Sequence, residues 1–158
     1  MEGPQTRRLV RLLLGLAGGN LVLGVVTAAA GLYGVFWGTL AQAGAQFRSA
    51  TTGIDLPREY FATPFYFWWH VVEVGVGVGL IVGAAAMVQR WPGGRVLNVF
   101  VAAGGLGLLM VAALGGLLQG FSDWGWALVR GAYLVLLVAL LWQRWVKECW
   151  RKPIEVGE

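Results

Sequence analysis

Three ionisable side chains stand inside apolar stretches of this 158-residue chain. His70 and Glu73 follow the aromatic run Tyr66-Phe67-Trp68-Trp69, and Arg130 interrupts a run that ends in Leu-Val-Ala-Leu-Leu-Trp. A charge at the centre of a bilayer costs about 2.5–3.5 kcal/mol, so such residues are rare and are normally paired or functional. His70 and Glu73 are three apart and share one face of a helix. Trp126 and Tyr133 share the face of Arg130 and offer rings on which a guanidinium can stack. Counted from Pro64 and Trp124 at 1.5 Å per residue, Glu73 and Arg130 lie roughly 9–14 Å below helix ends on the same side. The expected site is therefore an intramembrane polar cluster of His70, Glu73 and Arg130, with Gln119 and Tyr33 towards the same end. Asn20 is the main polar residue of the other half.

What such a cluster does depends on its pairing. If Glu73 and Arg130 meet, their charges cancel in place; if they do not, Glu73 is able to carry a proton. Blander readings compete. Arg130 can snorkel along its stem to the headgroups, and His70 can bond a headgroup or a backbone carbonyl. A haem or a quinone is conceivable as cofactor. However, His70 is the only histidine, so a bis-histidine haem within one chain is excluded. No metal site is expected without ligands from a partner chain. The chain has no phosphate-cradling GxxxxGK[ST], no HExxH, no GxSxG and no dinucleotide fingerprint. Ser49 and Ser122 lack a nearby histidine in sequence. No catalytic residue is assigned.

These residues need a membrane to make sense. The chain is 58% hydrophobic and only 13% charged, against about 25% charged residues in an ordinary soluble domain. Its mean hydropathy is +0.67. The net charge of +4 sits at helix ends, which reads as a topology signal and not as a nucleic-acid surface. The single cysteine, Cys149, excludes an internal disulfide.

Four apolar stretches, at about residues 12–37, 64–88, 96–118 and 124–142, are each near the roughly 20 residues a spanning helix requires. The expected fold is all-α: a polytopic, four-transmembrane-helix, up-down bundle forming one membrane domain. The first stretch resembles a secretory signal at Arg7, Arg8 and Arg11 and at Ala28-Ala29-Ala30. Its apolar run continues to Trp37, past the 7–15 residues of a signal, so an uncleaved helix is expected. Thr63-Pro64 and Asp123 are placed to open the second and fourth helices. Trp91-Pro92-Gly93-Gly94-Arg95 reads as a tight turn. Residues 39–62 form the one sizeable expected loop. Within it, residues 55–61 are either a short interfacial helix or an ordinary loop.

Arg7, Arg8, Arg11, Arg90, Arg95, Arg144, Lys147, Arg151 and Lys152 all fall on one side of this topology. Only Arg48 and Arg58 fall on the other. The positive-inside rule places the rich side, and with it both termini, in the cytoplasm of a cell's inner membrane. Aromatic residues mark both interfaces, with Trp37, Trp68, Trp69, Trp124 and Trp126 outside and Trp91, Trp142, Trp145 and Trp150 inside. Anchoring in headgroups is their ordinary role.

Gly75, Gly79 and Gly83 are spaced four apart, a stripe that lets a neighbouring helix approach closely. Glycine faces on several helices point to other membrane subunits or self-association as partners beside the lipid bilayer. The stretch from Tyr66 to Glu73 resembles, over eight residues, the aromatic–His–Glu helix of respiratory nitric oxide reductase large subunits. The spacing differs and the other metal-binding histidines are absent, so no function carries over. The overall plan is similar to small multidrug exporters, but the glutamate is on the second helix and not the first. The resemblance is therefore one of architecture. The first functional expectation is a non-catalytic subunit or assembly partner of a larger membrane complex, such as an energy-converting one. The alternatives are a small oligomeric transporter or channel coupled through Glu73, and a quinone- or lipid-binding membrane enzyme. The topology has a direct check. A membrane-impermeant maleimide is expected to label Cys149 from the cytoplasmic face alone, and labelling from the other face would invert the orientation.

Overall fold

The computed structural model describes residues 4–53, 64–115 and 121–143. They fold as four α-helices: α1 (Pro4–Thr52), α2 (Pro64–Val88), α3 (Gly94–Leu114) and α4 (Phe121–Trp142). All four are long and apolar enough to cross a membrane, so the chain is a multi-pass membrane protein built as a four-helix bundle. With 25, 21 and 22 residues, α2, α3 and α4 are about 31–38 Å long, close to the ~30 Å hydrocarbon thickness. The surface is that of a lipid-facing protein, with Phe36, Trp68, Phe100, Leu114 and Trp142 all exposed.

The first helix departs from expectation. It has 49 residues and is about 73 Å long, more than twice the hydrocarbon thickness. The loop expected from residue 39 is helix as far as Thr52. Alanine and glutamine, both good helix formers, fill residues 41–46 apart from Gly44. The polar residues that suggested a loop are absorbed by back-bonding: Thr39, Thr51 and Thr52 donate to the carbonyls of Val35, Phe47 and Arg48, at 2.7, 2.8 and 2.7 Å. The helix stops at Gly53, where φ is +65° and the N–H meets the Ser49 carbonyl at 3.0 Å. The 55–61 segment lies outside the described residues. Asp123 is in the first turn of α4, which begins at Phe121, and so does not hold the cap position expected for it.

The α2–α3 turn is held by backbone bonds. Trp91 N–H donates to the Ala86 carbonyl at 2.9 Å, with Arg90 at φ 50° between them. Arg95 then reaches from the start of α3 to the end of α4. Its Nε donates to the Leu141 carbonyl at 2.7 Å and satisfies a carbonyl that a helix end leaves open.

Consecutive helices pack antiparallel. The closest seam, between α1 and α2, brings backbone against backbone. A Cβ at Gly24 would meet the Gly77 carbonyl at 2.7 Å, and one at Gly77 would meet the Ala28 nitrogen at 2.5 Å. A Cβ at Gly31 would meet His70 O and Val74 N, each at 2.9 Å. The expected stripe on α2 is partly realised: Gly79 packs on Val101 and Gly83 on Asn98 of α3, but Gly75 faces open space. Residues four apart drift about 40° around a helix at each step, so a seam met at Gly79 and Gly83 has turned away at Gly75. The core between the helices is Leu16, Leu80, Met87, Leu134, Leu137 and Leu141.

A hydrogen-bonded clasp runs through that core. Asn20 Nδ2 donates to Asn98 Oδ1 at 2.6 Å, across the α1–α3 diagonal. Asn98 Nδ2 spends its two hydrogens on the carbonyls of Gly83 and Gly94, at 3.0 and 2.7 Å. Tyr133 comes from α4, with its hydroxyl 2.7 Å from Asn20 Oδ1 and 2.9 Å from the Leu16 carbonyl. One hydroxyl proton is thus shared between two acceptors on α1, and Gly19 leaves room for the ring, whose edge lies 2.7 Å from where a Cβ would stand. All four helices contribute to the clasp.

Gly77→Ala is expected to force the α1–α2 backbones apart and to cost about 1–3 kcal/mol. Gly104→Ala, which meets nothing within 4 Å, is expected to be neutral or to gain up to about 1 kcal/mol from helix propensity. Thermal unfolding of the two variants in detergent compares them directly, and equal losses would contradict the seam.

Candidate functional site

The second polar layer lies on the other diagonal, between α2 and α4. Glu73 points inward from α2 and uses both oxygens. Oε2 is 3.0 Å from His70 Nδ1, and Oε1 is 3.4 Å from Arg130 Nη1. The i, i+3 spacing of His70 and Glu73 sets the first contact. The neutral imidazole that fits this geometry carries its proton on Nδ1 and donates it to the carboxylate. The second contact is an ion pair between diagonal helices, possible only because both side chains point at the bundle axis.

Arg130 is only 3% exposed, so it does not snorkel to the surface. Its Nη1 faces Glu73, while Nε and Nη2 are covered and have no hydrogen-bond partner. His70 and Glu73 are more open, with side chains 13% and 15% exposed. The bundle thus holds Arg130 in its interior and reaches its surface through the two residues of α2.

His70 has a specific seat. A Cβ at Gly34 would run into the Cγ, Nδ1 and Cε1 atoms of its ring, which therefore lies against the backbone of α1. Gly31 and Gly34 together admit the α2 backbone and the imidazole. The tightest helix seam and the polar cluster are one construction.

Tyr33, expected in the same cluster, is elsewhere. Tyr33 is 68% exposed and stacks on Trp37, with ring centroids 6.1 Å apart and planes 8° apart. The inward face of α1 runs through Asn20, Leu23, Thr27, Gly31 and Gly34. Tyr33 is one residue, or about 100°, off the last of these, so depth alone misplaced it. Gln119 lies outside the described residues. Tyr133 turns its hydroxyl to α1 and joins the clasp, in place of the stacking on Arg130 that its spacing offered. Trp126, the other ring offered to Arg130, is 42% exposed. Sequence reasoning passed over Asn98, although a lone amide in an apolar helix is a signal of its own. Gly34 carried no signal, because only the fold shows what stands over it.

Among the described residues, no three His, Cys, Asp or Glu side chains come together as a metal site. Compared with family models, with curated proteins and with solved structures, the chain matches none.

The pair predicts a thermodynamic cycle. Glu73→Leu leaves a buried, unpaired guanidinium and is expected to cost about 3–5 kcal/mol, as is Arg130→Leu for the carboxylate. The double variant Glu73→Leu/Arg130→Leu is expected to be more stable than either single variant. Unfolding in detergent measures all four corners, and strictly additive losses would mean that the pair is not coupled.

Proposed function

We propose that this chain is a non-catalytic subunit or assembly partner of a larger membrane complex, lying in the inner membrane with both ends in the cytoplasm. The observation that carries the reading is the overreach of α1. The contacts of Gly31 with Val74 and of Gly34 with His70 fix the α1–α2 register. Continued along the seam, Pro64 at the start of α2 comes level with about residue 41 of α1. Residues 42–52 of α1 therefore project about 16 Å past the start of its closest partner helix. Phe47 in this projection is 71% exposed, and Leu40 at its base is 56% exposed. An apolar ring held past the start of the neighbouring helix lacks that helix as a cover, and another protein is the cover that suits it.

The polar layers support the same reading. Asn98 has every hydrogen-bonding group of its side chain matched, and Glu73 is engaged on both oxygens. Groups held this way specify one packing. The rival reading is an oligomeric transporter coupled through Glu73, favoured by the presence of an acid, an imidazole and a guanidinium inside a membrane bundle.

Mild extraction of the tagged chain from its own membranes, followed by native electrophoresis and mass spectrometry, separates the two. The proposal expects comigration with larger membrane subunits at fixed stoichiometry, weakened by Phe47→Ser. A homo-oligomer with no other subunit, together with ion-coupled uptake abolished by Glu73→Gln, would replace this reading by the rival.

A further inference from the structure

Arg130 spends only part of its hydrogen-bonding capacity. Nε and Nη2 share one edge of the planar guanidinium, and both are buried without a partner. Nη1, at the other side of the group, is the nitrogen that meets Glu73. The open edge presents two parallel N–H groups, the fork that matches the two oxygens of a carboxylate or a phosphate. A buried donor left unmatched is costly, and a charged one more so. The edge therefore has a strong demand for a two-oxygen acceptor.

We propose that the Nε/Nη2 edge of Arg130 binds the acid group, carboxylate or phosphate, of an acidic membrane amphiphile. Two observations point to an amphiphile in preference to a dissolved ion. Arg130 lies within a membrane-crossing helix. The cluster meets the bundle surface at His70 and Glu73, whose side chains are 13% and 15% exposed within the membrane-crossing part of α2. The site stands on Arg130 alone and is independent of whether the chain assembles with other subunits.

The test uses the delipidated full chain in a maltoside detergent, which carries no acid group. The Nε–H resonance of Arg130, assigned by its loss in Arg130→Lys, reports the edge directly. Native mass spectrometry reports lipid affinity. Oleate and dioleoyl phosphatidic acid are expected to shift the resonance saturably, while methyl oleate leaves it in place. Arg130→Lys, which keeps the charge but removes the fork, is expected to weaken binding about tenfold or more. An equal shift with methyl oleate, or none with either acid, would overturn the site and leave the edge to an internal water. Inorganic phosphate matching the lipids at equal concentration would overturn the assignment to an amphiphile. If Arg130→Lys fails to fold, native mass spectrometry of oleate against its methyl ester on the unaltered chain decides by itself: preferential retention of the acid supports the site, and equal retention overturns it.

Discussion

An amide side chain surrounded by hydrocarbon has no water to turn to, so each of its donors and acceptors must be matched by protein. Asn98 meets this demand in full, and Asn20 meets it with its oxygen and one amide hydrogen. The 2.6 Å bond between them crosses the bundle from α1 to α3, and the remaining groups reach Gly83 on α2 and Tyr133 on α4. Rotating any one helix by a residue would strand at least one of these groups. In a bilayer, where apolar side chains gain little by leaving lipid for protein, such bonds and close packing do the work that hydrophobic burial does in water. The net worth of each bond is modest, since the unfolded chain also finds partners. What the clasp contributes above all is a unique register.

That register is what lets the glycine seam close. Gly24 and Gly31 on α1 and Gly77 on α2 admit backbone to backbone contact only when the helices are aligned as the clasp requires. The same alignment lays the His70 ring on Gly34 and turns Glu73 to the axis. The two polar layers thus sit on opposite diagonals: α1 with α3 through the amides, α2 with α4 through the ion pair. A bundle whose neighbouring helices pack by shape and whose diagonal helices pair by polarity has few alternative arrangements.

The layers differ in how fully they are satisfied. Around Asn98 the amide layer closes on itself, with both hydrogens and the oxygen matched. The ionic layer does not, because Arg130 keeps two nitrogens without partners in a place where that is expensive. A cluster that served only to hold the fold would be better made of matched or apolar groups, since a buried ion pair is often no more stable than a well-packed apolar one. Under the proposed binding of an acid group, the residual capacity of Arg130 gives this layer a role beyond packing.

The sequence by itself determined the membrane, the four crossings and the depth of the ionisable residues. These depend on composition and on rise per residue, which are local and additive. It also placed Glu73 opposite Arg130 in depth, and the structure brings them into contact. It did not determine azimuth. Tyr33 has the right depth and faces outward, Gly75 lies on the stripe and off the seam, and Gly34 has no pattern yet carries the imidazole. Azimuth is fixed when helices rotate until their polar groups are matched, which is a condition on all four at once. The end of α1 was missed for a different reason: polarity was read as loop, while threonine back-bonding and alanine propensity kept the chain helical to Thr52. Only the tertiary structure decided which buried polar groups are spent on one another and which, at Arg130, remain open.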